Sequence, residues 1–137
     1  MTQVHFNPQS NLIILDVQIS YKASRRVKMA LDTGASVTVI TPQVAKSIGY
    51  SEEQLVPSLP MTTASGSEQT AQITLRFAAL FSEKIASLDA RVFNLPSDLK
   101  IDGLLGLNFL RRFNITMNFE QGTLTFQRLA PLFNSQF

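Results

Sequence analysis

A carboxylate sits where two apolar segments of the chain meet. Residues 32–36 read Asp-Thr-Gly-Ala-Ser, preceded by the alternating Val27, Met29 and Leu31 and followed by Val37, Val39 and Ile40. Segments of that kind become strands with at least one buried face. The chain must therefore turn sharply at Gly34 while holding a charge at the edge of its own core. A carboxylate in such a place is tolerated only where donors reach it. Gly34, lacking a Cβ, lets the backbone turn tightly enough to offer its own amides to Asp32. A strand–loop–strand unit with Asp32 in its loop is the fixed point for the rest of the fold.

Around that unit the pattern is one of short strands. Residues 12–19 (Leu-Ile-Ile-Leu-Asp-Val-Gln-Ile) predict a long strand, and Lys22-Ala23-Ser24-Arg25 a polar turn back into Val27–Leu31. Thr41 and Pro42 give an N-cap and a first-turn proline, and Gly49 closes a short helix over 42–48. Pro57 and Pro60 are expected to break the chain ahead of a polar hairpin tip over 62–68 with Gly66 at its centre. Strands are expected over about 69–81 and 86–94. Residues 103–107, Gly-Leu-Leu-Gly-Leu, are too apolar for an exposed loop and predict a buried strand, with a helical turn from Asn108. Two final strands near 114–120 and 123–128 flank Gln121-Gly122 as a turn. The expectation is an all-β domain with two short helices, one domain over 1–137, its core spanning about 12–128 and a tail over 129–137.

Composition excludes several classes of function. The 137 residues are 45% hydrophobic, enough for one continuous core, and only 16% charged. Lys and Arg are dispersed apart from Arg25-Arg26 and Arg111-Arg112, and the net charge is +2, so no basic stripe for nucleic acid is present. No cysteine means no disulfide and no thiolate chemistry. No metal site and no cofactor is expected. The opening Met-Thr-Gln-Val-His-Phe-Asn-Pro has neither a basic nor an apolar leader region, and no apolar run approaches the ~20 residues of a membrane helix. A soluble, cytoplasmic protein without a membrane partner is the expectation.

Asp32-Thr33-Gly34, followed far downstream by Leu104-Leu105-Gly106 and a short helix, resembles the retroviral-type, retropepsin-like aspartic proteases. The resemblance spans about residues 12–128. It implies an acid-protease half-barrel in which the Leu-Leu-Gly strand threads beside the Asp32 loop as part of a ψ-shaped motif. It implies a homodimer, since the chain holds only one such loop, and an extended peptide or protein as substrate. Asp32 of each subunit would be catalytic, because two carboxyls ~3 Å apart share one proton and so supply a base and an acid together. Thr33 would reach across the two-fold axis, while Gly34, Ala35 and Ser36 support the loop. Thr63, Ala64, Ser65, Gly66 and Ser67 would form a flap over the substrate.

The chain also departs from that pattern. Many retroviral enzymes carry an acidic residue where Ser36 stands and an arginine where Leu107 stands, and here that polar link is missing as a unit. Ala35 replaces a serine that in pepsin-like relatives donates to the catalytic carboxyl, which implies an optimum less acidic than theirs. The flap has one glycine, Gly66, where many viral flaps have several. The C-terminal Leu132, Phe133 and Phe137 are candidates for contact with a partner subunit.

Competing readings of the same residues are weaker. A local turn role for Asp32 does not account for the distant Leu-Leu-Gly element. Ser36 has no histidine-based triad, the only histidine being His5, which reads as solvated surface. No phosphate loop or second metal-binding aspartate lies beside Asp32. Asp16, Asp89 and Asp98 lie in no second Asp-Thr-Gly, and Asp102, ahead of Gly103, reads as a turn or cap residue. Phe109, Phe113, Phe119 and Phe126 read as core packing. The principal alternative to an enzyme is a retropepsin-fold module that dimerises or binds peptides without cutting them.

Overall fold

The computed structural model describes residues 1–63 and 66–130. Its strands are β1 (Thr2–His5), β2 (Ile14–Ser20), β3 (Ser24–Leu31), β4 (Thr38–Ile40), β5 (Leu59–Thr63), β6 (Gly66–Leu80), β7 (Glu83–Val92), β8 (Gly103–Leu105), β9 (Phe113–Asn118) and β10 (Thr123–Arg128). Two short helices, α1 (Pro42–Ser47) and α2 (Leu107–Leu110), complete the main elements.

Alternation drives closure. Leu15, Val17 and Ile19 of β2 and Val27 and Met29 of β3 are buried, while Asp16 and Lys28 between them face out as an ion pair of 2.6 Å. With one face wholly apolar, the β2–β3 hairpin has to wrap around a core. It does so through the strand order β2-β3-β8-β4-β7-β6, and the pairing of β6 back onto β2 closes six strands into a barrel. The closing register sets Gln18, Ile19 and Ser20 against Ala79, Ala78 and Phe77. Closure removes the open edges that a flat sheet would expose. The strand β5 stays outside the ring, paired only to the first half of β6.

A second, three-stranded sheet, β1-β10-β9, packs its inner side on the barrel. Phe113 and Phe126 meet edge to face with ring centroids 5.5 Å apart, and Phe109 of α2 lies 5.3 Å from Phe113. Val4 and Phe6 are buried with them, so the core reaches further toward the N-terminus than residue 12. The signal in Thr2–Phe6 is a single alternation that Pro8 ends, too short to announce a strand without its partner β10. The helix α1 starts as its sequence dictates: Thr41 Oγ1 accepts from the Val44 amide at 3.4 Å and Pro42 fills the first turn.

Three sequence expectations are corrected. Pro60 does not break the chain but lies within β5, opposite Gln69. An edge strand tolerates a residue with no amide donor on its outer side. Two strands run closer to their turns than the polar composition suggests, β6 beginning at Gly66 in the β5–β6 hairpin and β7 at Glu83 after the next turn, because an exposed hairpin needs no apolar alternation. Phe119 is 58% exposed, outside the aromatic core, and its ring meets that of Phe6 edge-on at 5.7 Å. The tail residues Leu132, Phe133 and Phe137 and the tip residues Ala64 and Ser65 lie outside the described residues. Among those described, no helix is long and apolar enough to cross a membrane.

Tyr50 ties the end of α1 to the barrel. Its hydroxyl donates to the Thr74 carbonyl at 2.7 Å and its ring stacks on Tyr21 at 3.9 Å. Burial, reinforced by the Tyr21 phenol beside it, pushes the Tyr50 hydroxyl above its ordinary value of 10.0. A raised folded-state value favours the neutral form, so this contribution is complete below about pH 10 and lost as pH rises through the folded-state value. Tyr50→Phe is expected to cost about 1 kcal/mol of unfolding free energy at pH 8. The difference from wild type should shrink in denaturant titrations above pH 10, and a gap that stays constant to pH 11 would contradict the assignment.

Candidate active site

Asp32 leaves the end of β3 directly into the tight loop, and the loop is held from behind by the chain 70 residues later. The Asp32 amide donates to the Leu105 carbonyl at 3.0 Å, and the Leu107 amide donates to the Ala35 carbonyl at 2.8 Å. Between these two anchors the Ala35 amide closes the turn onto the Asp32 carbonyl at 3.2 Å. The Gly34 amide donates to Asp32 Oδ1 at 2.8 Å, the backbone donor that the sequence demanded. A Cβ on Gly34 would sit 3.1 Å from that same oxygen, so the residue is small where the carboxylate folds back.

The anchoring strand β8 runs between the two strands that carry the loop. It pairs parallel with β3, setting Met29 against Gly103 and Leu31 against Leu105, and antiparallel with β4, setting Val39 against Leu104. Gly106 then passes so close to the loop that a Cβ would meet the Val37 carbonyl carbon at 2.7 Å, the Ala35 oxygen at 2.8 Å and the Thr38 nitrogen at 2.9 Å. All three are backbone atoms that cannot swing away. The glycine is a condition of the close approach.

Thr38 and Asn108 lock this crossing from inside. The Gly106 amide donates to Thr38 Oγ1 at 3.1 Å, and that hydroxyl donates in turn to Asn108 Oδ1 at 2.8 Å. Asn108 Oδ1 also accepts from the Thr38 amide at 2.9 Å, and its Nδ2 donates to the Asp89 carbonyl of β7 at 2.7 Å. Since an amide nitrogen can only donate and a carbonyl only accept, the orientation of the Asn108 side chain is fixed. Thr38 is fully buried, and no buried side-chain polar atom among the described residues lacks a partner.

Asp32 is half-buried and opens on a cleft of about 740 Å³. Gly34, Ala35 and Leu104 share that lining with it. The β5–β6 hairpin contributes Met61, Thr62, Thr63 and Glu68, and the segment after β7 contributes Phe93, Asn94, Leu95 and Pro96. This volume and largely apolar lining suit a ligand of several residues. Of the residues expected here, Asp32, Gly34, Ala35, Leu104 and Thr63 come together at the cleft. Gly66 and Ser67 lie on the hairpin but not in its lining, and Ala64 and Ser65 fall outside the described residues. Thr33 and Ser36 are exposed on the loop, while Leu105 and Gly106 are buried behind it.

Sequence reasoning missed the wall formed by residues 93–96 and the roles of Met61, Glu68, Thr38 and Asn108. Phe-Asn-Leu-Pro, an apolar segment stopped by a proline just past a strand, was a usable signal for the wall. Nothing local marks Thr38 or Asn108, because each acts across about 70 residues of chain. Three of the other aspartates have structural partners, Asp16 through its ion pair with Lys28 among them. Asp89 accepts from Thr74 Oγ1 at 2.8 Å, and Asp102 Oδ2 accepts from the Lys28 amide at 2.9 Å, a tie from the entry of β8 to β3 rather than a local turn or cap. His5 is exposed.

Residues 15–112 match the family described as "gag-polyprotein putative aspartyl protease". In three dimensions the chain is similar to a retropepsin-like aspartic protease from Rickettsia conorii, with a TM-score of 0.71 and 23% identity over 91% of this chain and 88% of that one. It is also similar to the EIAV protease solved in complex with the inhibitor HBY-793, with a TM-score of 0.60 and 18% identity over 79% of this chain and 92% of that one. At these identities the two structures speak for a shared fold, the retropepsin fold. No curated protein sequence matches the chain.

The lock behind the loop sets an expected outcome. Asn108→Ala leaves a buried Thr38 amide without an acceptor and should cost about 2–3 kcal/mol. For a domain of this size that is a fall in melting temperature of roughly 5–15 °C, measurable by calorimetry. A loss under about 0.5 kcal/mol would show that the crossing holds without it.

Proposed function

The chain belongs to the gag-polyprotein aspartyl protease family, and from that premise we propose that it is an aspartic endopeptidase cutting extended peptide segments as a homodimer. The observation that carries this reading is the Asp32 carboxylate, held by the Gly34 amide and opening on a cleft large enough for several residues of peptide. One chain supplies one Asp-Thr-Gly loop. A second carboxyl therefore comes from a second copy, across a two-fold axis passing between the loops. Thr33 is exposed and its hydroxyl bonds to none of the described residues; in that arrangement it would reach across to the partner loop.

In the dimer the two Asp32 carboxyls share one proton. The ionised member takes a proton from a water whose oxygen attacks the peptide carbonyl carbon, and the protonated member gives its proton to the carbonyl oxygen. The tetrahedral diol collapses when the carboxyl that took the water's proton passes it to the amide nitrogen, the other carboxylate takes a proton from a diol hydroxyl, and the C–N bond breaks, leaving a carboxylic acid, an amine and a singly protonated pair. The rate needs the singly protonated pair and therefore rises and falls with pH.

Asp32→Asn is expected to keep the fold and to lower kcat/KM on a cleaved peptide by a factor on the order of 10³ or more. Added in excess to the wild-type protein, the same variant should trap active subunits in dead heterodimers and lower activity beyond simple dilution. Appreciable turnover by the purified variant, or activity indifferent to its addition, would count against the two-chain site. Ala35→Ser places a hydroxyl donor beside the pair, which favours its ionised state and should move the pH–rate profile toward lower pH. A profile that stays in place, or moves alkaline, removes residue 35 from the tuning of the pair.

A further inference from the structure

We infer that the cleft selects peptides carrying a lysine or arginine near the cut bond, held by the Glu68 carboxylate against Met61. The inference rests on the peptide-binding reading of the Asp32 cleft and adds a substrate class to it.

The register of the flap hairpin sets Met61 directly opposite Glu68 and Thr63 opposite Gly66. Directly opposed residues share a face, and residues two apart on one strand share it too. One face of the hairpin thus presents Met61 and Glu68 side by side, and both line the cleft. Among the described residues Glu68 is the only ionisable side chain in that lining besides Asp32. Among the described residues its carboxylate enters none of the ion pairs, which join Lys28 to Asp16, Lys46 to Glu52 and Arg128 to Glu83.

The remaining walls, with Phe93, Leu95 and Leu104, suit large apolar side chains. A cationic side chain entering such a cleft would lose water without compensation unless it met a counter-charge. Glu68 supplies that charge, and the neighbouring Met61 offers an apolar surface for the methylene stem of a lysine or arginine. The fit is to a long cation with an apolar shaft, a combination that no other natural side chain offers. An arginine adds a planar fork able to engage the carboxylate through two parallel hydrogen bonds.

Two-fold symmetry doubles the effect. Each flap brings one Glu68, so a basic residue is accommodated on either side of the cut bond, while the proton-sharing pair keeps one negative charge between them. In a chain of net charge +2 the cleft becomes a local acidic region. Such a region steers cationic peptides inward and repels acidic ones, with a dependence on ionic strength.

The test uses a randomised peptide library in two readouts: capture on immobilised Asp32→Asn protein, and cleavage by the protein with Asp32 intact. Both are repeated with Glu68→Gln and Glu68→Lys in the same backgrounds. Captured peptides are expected to be enriched in Lys and Arg about five-fold over norleucine at one or two positions. The enrichment should vanish with Glu68→Gln, turn to Asp and Glu with Glu68→Lys, and decline in high salt. The basic positions should flank the cut bond in the cleavage profile. Basic enrichment that is absent, or equal in wild type and Glu68→Gln, or capture of no peptide, overturns the inference. Failure of the proteolytic reading looks different: no Asp32-dependent cleavage, with capture still reporting on Glu68.

Discussion

Two backbone hydrogen bonds fix the Asp32 loop, one from the Asp32 amide to the Leu105 carbonyl and one from the Leu107 amide to the Ala35 carbonyl. They straddle Gly106, the residue where the two segments come closest. A loop that projects a carboxylate into a cleft has little apolar surface of its own and would otherwise wander. Here it is pinned at both ends to a strand already trapped between β3 and β4. The side chain of Asp32 is thereby aimed by the backbone of distant residues, and the barrel's closure fixes those residues in turn.

This explains how the loop tolerates its departures from the retroviral pattern. The anchors are main-chain groups, so the side chains at Ser36 and Leu107 are free to change without loosening the turn. Ser36 is exposed and Leu107 is half-buried, yet the Leu107 amide still reaches Ala35. The polar work that does need side chains is done inside, by Thr38 and Asn108. Their bonds join the loop, β4, α2 and β7 into one unit with every polar atom satisfied. A fully satisfied buried network rigidifies, whereas a half-satisfied one would weaken the place it crosses.

The parts legible in the sequence were those written in local periodicity or in a forced small residue. The alternation through Leu15–Ile19 and Val27–Leu31 announced the hairpin, and Thr41-Pro42 announced α1. Leu104-Leu105-Gly106 was recognisable because a fully apolar triplet ending in glycine has few places to go except a buried crossing. What stayed illegible depends on a partner far along the chain. The strand β1 exists because β10 offers it an edge, and Pro60 sits in a strand because that strand is the outermost one. Phe119 looked like core on composition alone, yet it lies one residue past the end of β9. Residues 93–96 form a wall because the chain leaving β7 borders the cleft; Phe-Asn-Leu-Pro hints at an apolar wall, but nothing within those four residues encodes where it stands.

The β5–β6 hairpin depends on distant partners in the same way. Its polar sequence, read alone, is a hairpin tip and nothing more. Paired in register, it places a methionine and a glutamate over a carboxylate loop whose own geometry is set by the barrel. The barrel and the loop are fixed by buried contacts and leave little freedom for variation. The hairpin face is exposed, and substitution there costs the fold little. A chain built this way keeps the geometry of its Asp32 loop in the core, while the chemistry of the cleft's opposite wall rests on exposed residues such as Glu68, changeable one at a time.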